Sequence, residues 1–67
     1  MITLTVNGKP RQVQGELTLP ALLEQIGVDR RLVAVAHNGE VLRRDSYDRV
    51  CLRDGDRVEI VRMVGGG

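Results

Sequence analysis

Sixty-seven residues with one aromatic side chain, Tyr47, and neither Phe nor Trp make one small domain with an aliphatic core. A chain this short buries only about 60% of the surface its unfolded form exposes, so a core plus an enclosed substrate pocket does not fit, which counts against an independent enzyme. Ten basic and nine acidic residues, interspersed to a net charge of +1, exclude the basic footprint of a nucleic-acid binder.

Ile2-Thr3-Leu4-Thr5-Val6 alternates apolar and hydroxylated residues, the pattern of a half-buried strand with Ile2, Leu4 and Val6 inward. Asn7-Gly8 follows, the dipeptide that best tolerates the positive φ values of a tight hairpin. Residues 10–14 return as the second strand, with Pro10 at its start. The period then changes. Leu19, Leu22, Leu23 and Ile26 form one apolar stripe of a short helix near residues 18–26. Thr18 serves as its N-cap, Pro20 falls in the first turn, and Gly27 suits the left-handed closing position. Residues 32–36 read as a third strand, Asn38-Gly39 as a second hairpin turn, and Val41-Leu42 as a short return. Residues 43–49 are charged and irregular, with Tyr47 laid over the edge of the core. Asp54-Gly55-Asp56 makes a tight turn before the final strand, residues 58–63.

If Val58 and Ile60 face the helix, Val61 and Met63 emerge on the opposite face, next to Thr3 and Thr5. Two exposed apolar side chains beside the chain end form a candidate docking patch. The sequence closes on Val64-Gly65-Gly66-Gly67, so residues 1–63 form the domain and residues 64–67 a flexible glycine tail. The only chemistry at its tip is the α-carboxyl group of Gly67. Bare backbone can thread a narrow cleft, and the four residues after Met63 reach about 13 to 14 Å when extended. A frayed terminus is the other reading of the same glycines.

The remaining single residues carry little chemistry. Cys51 is the one cysteine, which excludes a disulfide framework; between Val50 and Leu52 it reads as a small half-buried hydrophobe. His37 has no second ligand at metal spacing, and Asp54 and Asp56 lack the further acidic ligand of a cation loop. The pairs Arg30-Arg31 and Arg43-Arg44 read as solvated surface. No apolar run approaches the roughly 20 residues of a membrane span, and no signal-peptide pattern opens the chain, which reads as cytosolic.

Taken together, Leu22-Leu23-Glu24, Val33-Ala34-Val35, Asn38-Gly39-Glu40, Asp54-Gly55-Asp56 before Val58-Glu59-Ile60, and the closing Val64-Gly65-Gly66-Gly67 resemble the ThiS family, the sulfur carriers of thiamin thiazole biosynthesis. The resemblance spans the whole chain. It implies an α+β, ubiquitin-like β-grasp fold: a mixed sheet with one helix on one face, and the first and last strands parallel at the centre. It also implies that a ThiF-like adenylyltransferase uses ATP to adenylate Gly67. A sulfur donor protein then displaces AMP to leave a thiocarboxylate, and a ThiG-like thiazole synthase consumes the sulfur. On that reading Val64, Gly65 and Gly66 thread the partner's active site, Val61 and Met63 dock, and the chain itself binds no cofactor and catalyses nothing. Two alternatives stand beside it. One is a MoaD-like carrier for molybdopterin synthesis or another thiocarboxylate pathway; the other is a non-carrier β-grasp interaction module.

Overall fold

Two Asn-Gly hairpins build the sheet of this protein, whose computed structural model describes residues 1–63. The expected glycine tail, residues 64–67, lies outside the described residues. Strands β1 (Ile2–Val6) and β2 (Lys9–Val13) pair antiparallel from Ile2↔Val13 to Val6↔Lys9. Between them Asn7 and Gly8 take φ values of 51° and 80°, a conformation that most side chains resist. The tight two-residue turn starts the return strand at Lys9, one residue earlier than the sequence suggests.

A two-residue strand, β3 (Leu17–Thr18), leads straight into helix α1 (Leu19–Ile26). The Thr18 hydroxyl accepts from the Ala21 amide, as an N-cap does. At the other end Gly27 turns left-handed with φ 91°, and the Val28 amide donates back to the Leu23 carbonyl, closing the last turn. Leu19, Leu22 and Leu23 are fully buried, and Ile26 packs partly against the same core. Each buried leucine is worth about 1.5 to 3 kcal/mol, which is what holds a helix too short to persist alone.

The second hairpin joins β4 (Val33–His37) to β5 (Glu40–Val41) around Asn38-Gly39. Next come β6 (Cys51–Leu52), which pairs with β3 as a separate two-stranded sheet, and β7 (Arg57–Arg62). The main sheet runs β2-β1-β7-β4-β5. β7 lies parallel to β1 and antiparallel to β4, at the centre of the sheet. This is the mixed sheet with one α-helix that the β-grasp resemblance implies. Leu4, Val58, Val33 and Val35 meet the helix on one face. Among the described residues, no helix is long and apolar enough to cross a membrane.

The structure corrects the sequence reading at further places. Leu32 is not a strand residue: it closes a 3-10 turn (Arg30–Leu32) capped by Asp29, and its side chain is exposed. Residues 44–49 form a 3-10 helix, and Tyr47 is buried inside the core instead of lying over its edge. Cys51 is exposed, because a strand alternates faces and β6 gives its inward position to Leu52. The last strand begins at Arg57, and Met63 lies just past its end.

Candidate functional site

The site predicted from sequence lies where β7 leaves the sheet. Val58 and Ile60 point toward the helix side, so Arg57, Glu59 and Val61 point to the open face. Register with β4 sets Val61 opposite Ala34 and Glu59 opposite Ala36; β5 adds Val41 opposite Ala36. Two alanines thus floor a shallow hollow of about 180 Å³, walled by Val41 and Val61 with Glu59 on its rim. At the chain-end side the Met63 amide donates to the Leu32 carbonyl at 2.8 Å, which brings those two residues side by side. An Arg44 Nη2 sits 3.8 Å from the Met63 sulfur.

Of the five large apolar side chains exposed among the described residues, Val41 and Val61 wall this hollow, and Leu32 and Met63 follow at the ends of the adjoining strands, where the Met63–Leu32 bond joins them. Sequence reasoning found Val61 and Met63 but set them beside Thr3 and Thr5. The parallel register rules that out, because it places Thr5 opposite Arg57. β1 has ended before β7 reaches Val61. Leu32 and Val41 were missed; the signal for Val41 was its distance from Ala36 across the Asn38-Gly39 turn, which fixes them as cross-strand partners. Gly67, Gly66, Gly65 and Val64 lie outside the described residues.

The opposite end of β7 holds a polar cluster. His37 Nε2 donates to Asp56 Oδ2 at 2.8 Å, and the same carboxylate accepts from the Arg53 amide and the Asn38 side chain. Burial pushes the Asp56 carboxyl up, but these donors outweigh it and hold the group below the usual carboxylate range. Asp54 accepts from the Thr3 amide, so the Asp54-Gly55-Asp56 turn is also a splice onto β1. The cluster ties strand ends together at the end of β7 remote from Met63. Arg30 and Arg31 pair with Asp48 and Asp29, and the Arg31 guanidinium holds the Asp29 carboxyl down at about 2. Among the described residues no group of His, Cys, Asp and Glu can hold a metal ion.

Residues 4–67 match the family model for ThiS. The chain belongs to the ThiS family. It is 46% identical to the sulfur carrier protein ThiS of Thermus thermophilus, with 92% of this chain and 95% of that one covered. The crystal structure of a ThiS thiamine biosynthesis protein from Geobacter metallireducens superposes with a TM-score of 0.85 at 43% identity, covering 98% of this chain and 100% of that chain. A thiazole synthase of Paramagnetospirillum magneticum is 45% identical over 96% of this chain. The chain spans only 20% of that enzyme's length. A ThiS-like segment there shares one polypeptide with a much longer protein.

Proposed function

We propose that this chain is the sulfur carrier of thiamin thiazole formation, loaded at the carboxyl group of Gly67. A carboxylate is a poor electrophile: its charge repels nucleophiles and oxide is a poor leaving group. Attack of the Gly67 carboxylate on the α-phosphate of ATP releases pyrophosphate and gives an acyl-adenylate, whose AMP is a good leaving group. Sulfide-level sulfur from a donor protein then attacks the acyl carbon, expels AMP and leaves the thiocarboxylate that a thiazole synthase consumes. With a persulfide donor, a thiol reductant first cleaves the acyl disulfide that forms. ATP is held by a ThiF-like adenylyltransferase, so the chain is a co-substrate that supplies no catalytic group. ATP-dependent loading and a reduced thiol pool suit the cytoplasm.

The observation that carries this reading is the family match, which runs through Gly67, joined to the position of β7. The central strand ends at Arg62 beside an exposed apolar strip, so a partner docked on Leu32, Val41, Val61 and Met63 has the chain end within reach. The thiazole synthase relative favours the thiamin branch over a molybdopterin carrier. The deciding experiment incubates the chain with its adenylyltransferase, ATP and a sulfur donor, then measures intact mass. Replacement of one oxygen by sulfur, mapped to Gly67, supports the carrier. A mass unchanged under turnover conditions leaves only the interaction-module reading.

A further inference from the structure

The parallel ladder between β1 and β7 is short. Only Thr5↔Arg57 and Val6↔Val58 are paired strand residues, and the Asn7 amide adds one bond to the Val58 carbonyl at 2.9 Å. At Asn7 the chain turns back into β2, so no β1 backbone lies opposite Ile60. The Asn7 side chain fills that place. Its Oδ1 accepts from the Ile60 amide at 2.7 Å, and its Nδ2 donates to the Ile60 carbonyl at 3.2 Å. A carboxamide has the donor and acceptor of a peptide group, and here it stands in for one more residue of β1.

We propose that Asn7 is a positioning residue for sulfur loading: it fixes the direction in which β7 delivers the chain end. This rests on the carrier reading above. Beyond Ile60, the backbone partners of residues 61–63 lie on the β4 side alone, through Ala34↔Val61, Val33↔Arg62 and the Met63 amide to Leu32. Ile60 is therefore the last residue of β7 gripped on both edges. Residues 61–63 lead from there toward the chain end and are held on one edge only, so without the Asn7 clamp this strand end is freer to move and an activating partner must order it on binding.

Asn38 supplies the control. Its side chain grips the start of the same strand by one bond, Oδ1 accepting from the Arg57 amide at 2.8 Å, while its backbone N–H donates to the Arg57 carbonyl and its Nδ2 to Asp56. Both asparagines share φ 51° and a following glycine, so Asn7→Gly and Asn38→Gly each keep the turn and remove one side-chain clamp. Asn7→Asp is the milder variant, which keeps the acceptor for Ile60 N–H and loses the donor.

The experiment measures steady-state adenylation of the full chain by its activating enzyme, together with amide exchange of residues 57–63. Asn7→Gly should raise the KM for the carrier about three- to tenfold with kcat nearly unchanged, the size expected for losing one pre-ordered segment. Asn7→Asp should fall between it and the wild type. Exchange at Ile60 and Met63 should quicken in Asn7→Gly, whereas Asn38→Gly should quicken Arg57 and leave KM alone. Equal KM values for the two glycine variants, or unaltered exchange at Ile60 and Met63, overturn the positioning role while the carrier reading stands. A wild-type chain that is never adenylated overturns both.

Discussion

The phenol of Tyr47 donates to the Val33 carbonyl across 3.2 Å, inside the core. That bond explains how β4 manages without a full neighbour. β5 covers only Ala36 and His37, and the Leu42 amide reaches the Val35 carbonyl; Val33 is left to the 3-10 segment that carries Tyr47. Arg30 lies over the ring, 5.6 Å from its centre, and bonds Asp48 next door. One side chain thus completes the edge of a sheet.

Removing the hydroxyl alone should therefore be felt. Tyr47→Phe should destabilise the fold by about 0.5 to 1.5 kcal/mol, and by more if the Val33 carbonyl is stranded without water. Tyr47→Ala should cost about 3 to 5 kcal/mol through the cavity it opens. Urea unfolding of the two variants checks both values. A Tyr47→Phe protein as stable as the wild type would show that the bond contributes nothing.

The hairpins and the helix were legible because each is written locally: Asn-Gly at the turns, Thr18 and Gly27 at the helix ends, a stripe of three leucines and one isoleucine between. Tyr47 was not, since its burial depends on which carbonyl of a strand 14 residues away lacks a partner. The β3–β6 pair joins Leu17 to Leu52 and has only two residues per strand, too few to show a period. Cys51 looked half-buried from its apolar neighbours, and strand alternation turned it outward. For the site, alternation alone brought out Val61 and Met63. Their companions Leu32 and Val41 depended on β4 being the neighbour of β7, and nothing in a local pattern states that order.

The polar cluster gives a pH prediction. Asp56 is held below its unfolded value near 3.8 by donors that outweigh its burial, so its contribution is present above that value. It is lost as pH falls through the lower, folded value. Stability of the wild type should therefore decline below about pH 4, beyond what Asp56→Asn shows over the same range. At neutral pH that variant should be about 1 to 2 kcal/mol less stable, because a charged acceptor of three donors has been made neutral. Urea midpoints at pH 7, 4 and 3 check the claim, and parallel acid profiles for both proteins would refute it.

The open-face strip predicts a separation of docking from stability. Val61 is 62% and Met63 47% exposed, so changing both to Asp should move the unfolding free energy by no more than about 0.5 kcal/mol. Binding to the adenylyltransferase should nevertheless weaken by at least tenfold, since two charges would be desolvated against the partner without counter-ions. Filling the alanine floor with Ala34→Leu tests the same surface by shape. Normal affinity in both folded variants would show that the strip faces solvent during loading.

The carboxyl terminus carries the sharpest test. Adenylation needs the Gly67 carboxylate itself in line with the α-phosphate of ATP. One added residue displaces the terminal carboxylate by about 3.5 Å, and deletion of Gly67 withdraws it by the same step, far beyond what a preorganised site tolerates. Gly66→Val should fail for a different reason: its branched Cβ restricts φ and ψ and obstructs a cleft shaped for bare backbone. The described core, from Leu4 to Val58, involves none of these positions, so the unfolding midpoint should stay put. Loading should drop by two orders of magnitude or more, about what an ångström-scale misplacement of a reacting group costs. The assay is acyl-adenylate formation with ATP and the activating enzyme, run beside thermal denaturation of each variant. Wild-type loading of the extended chain or of Gly66→Val would mean that sulfur is carried, if at all, somewhere other than Gly67.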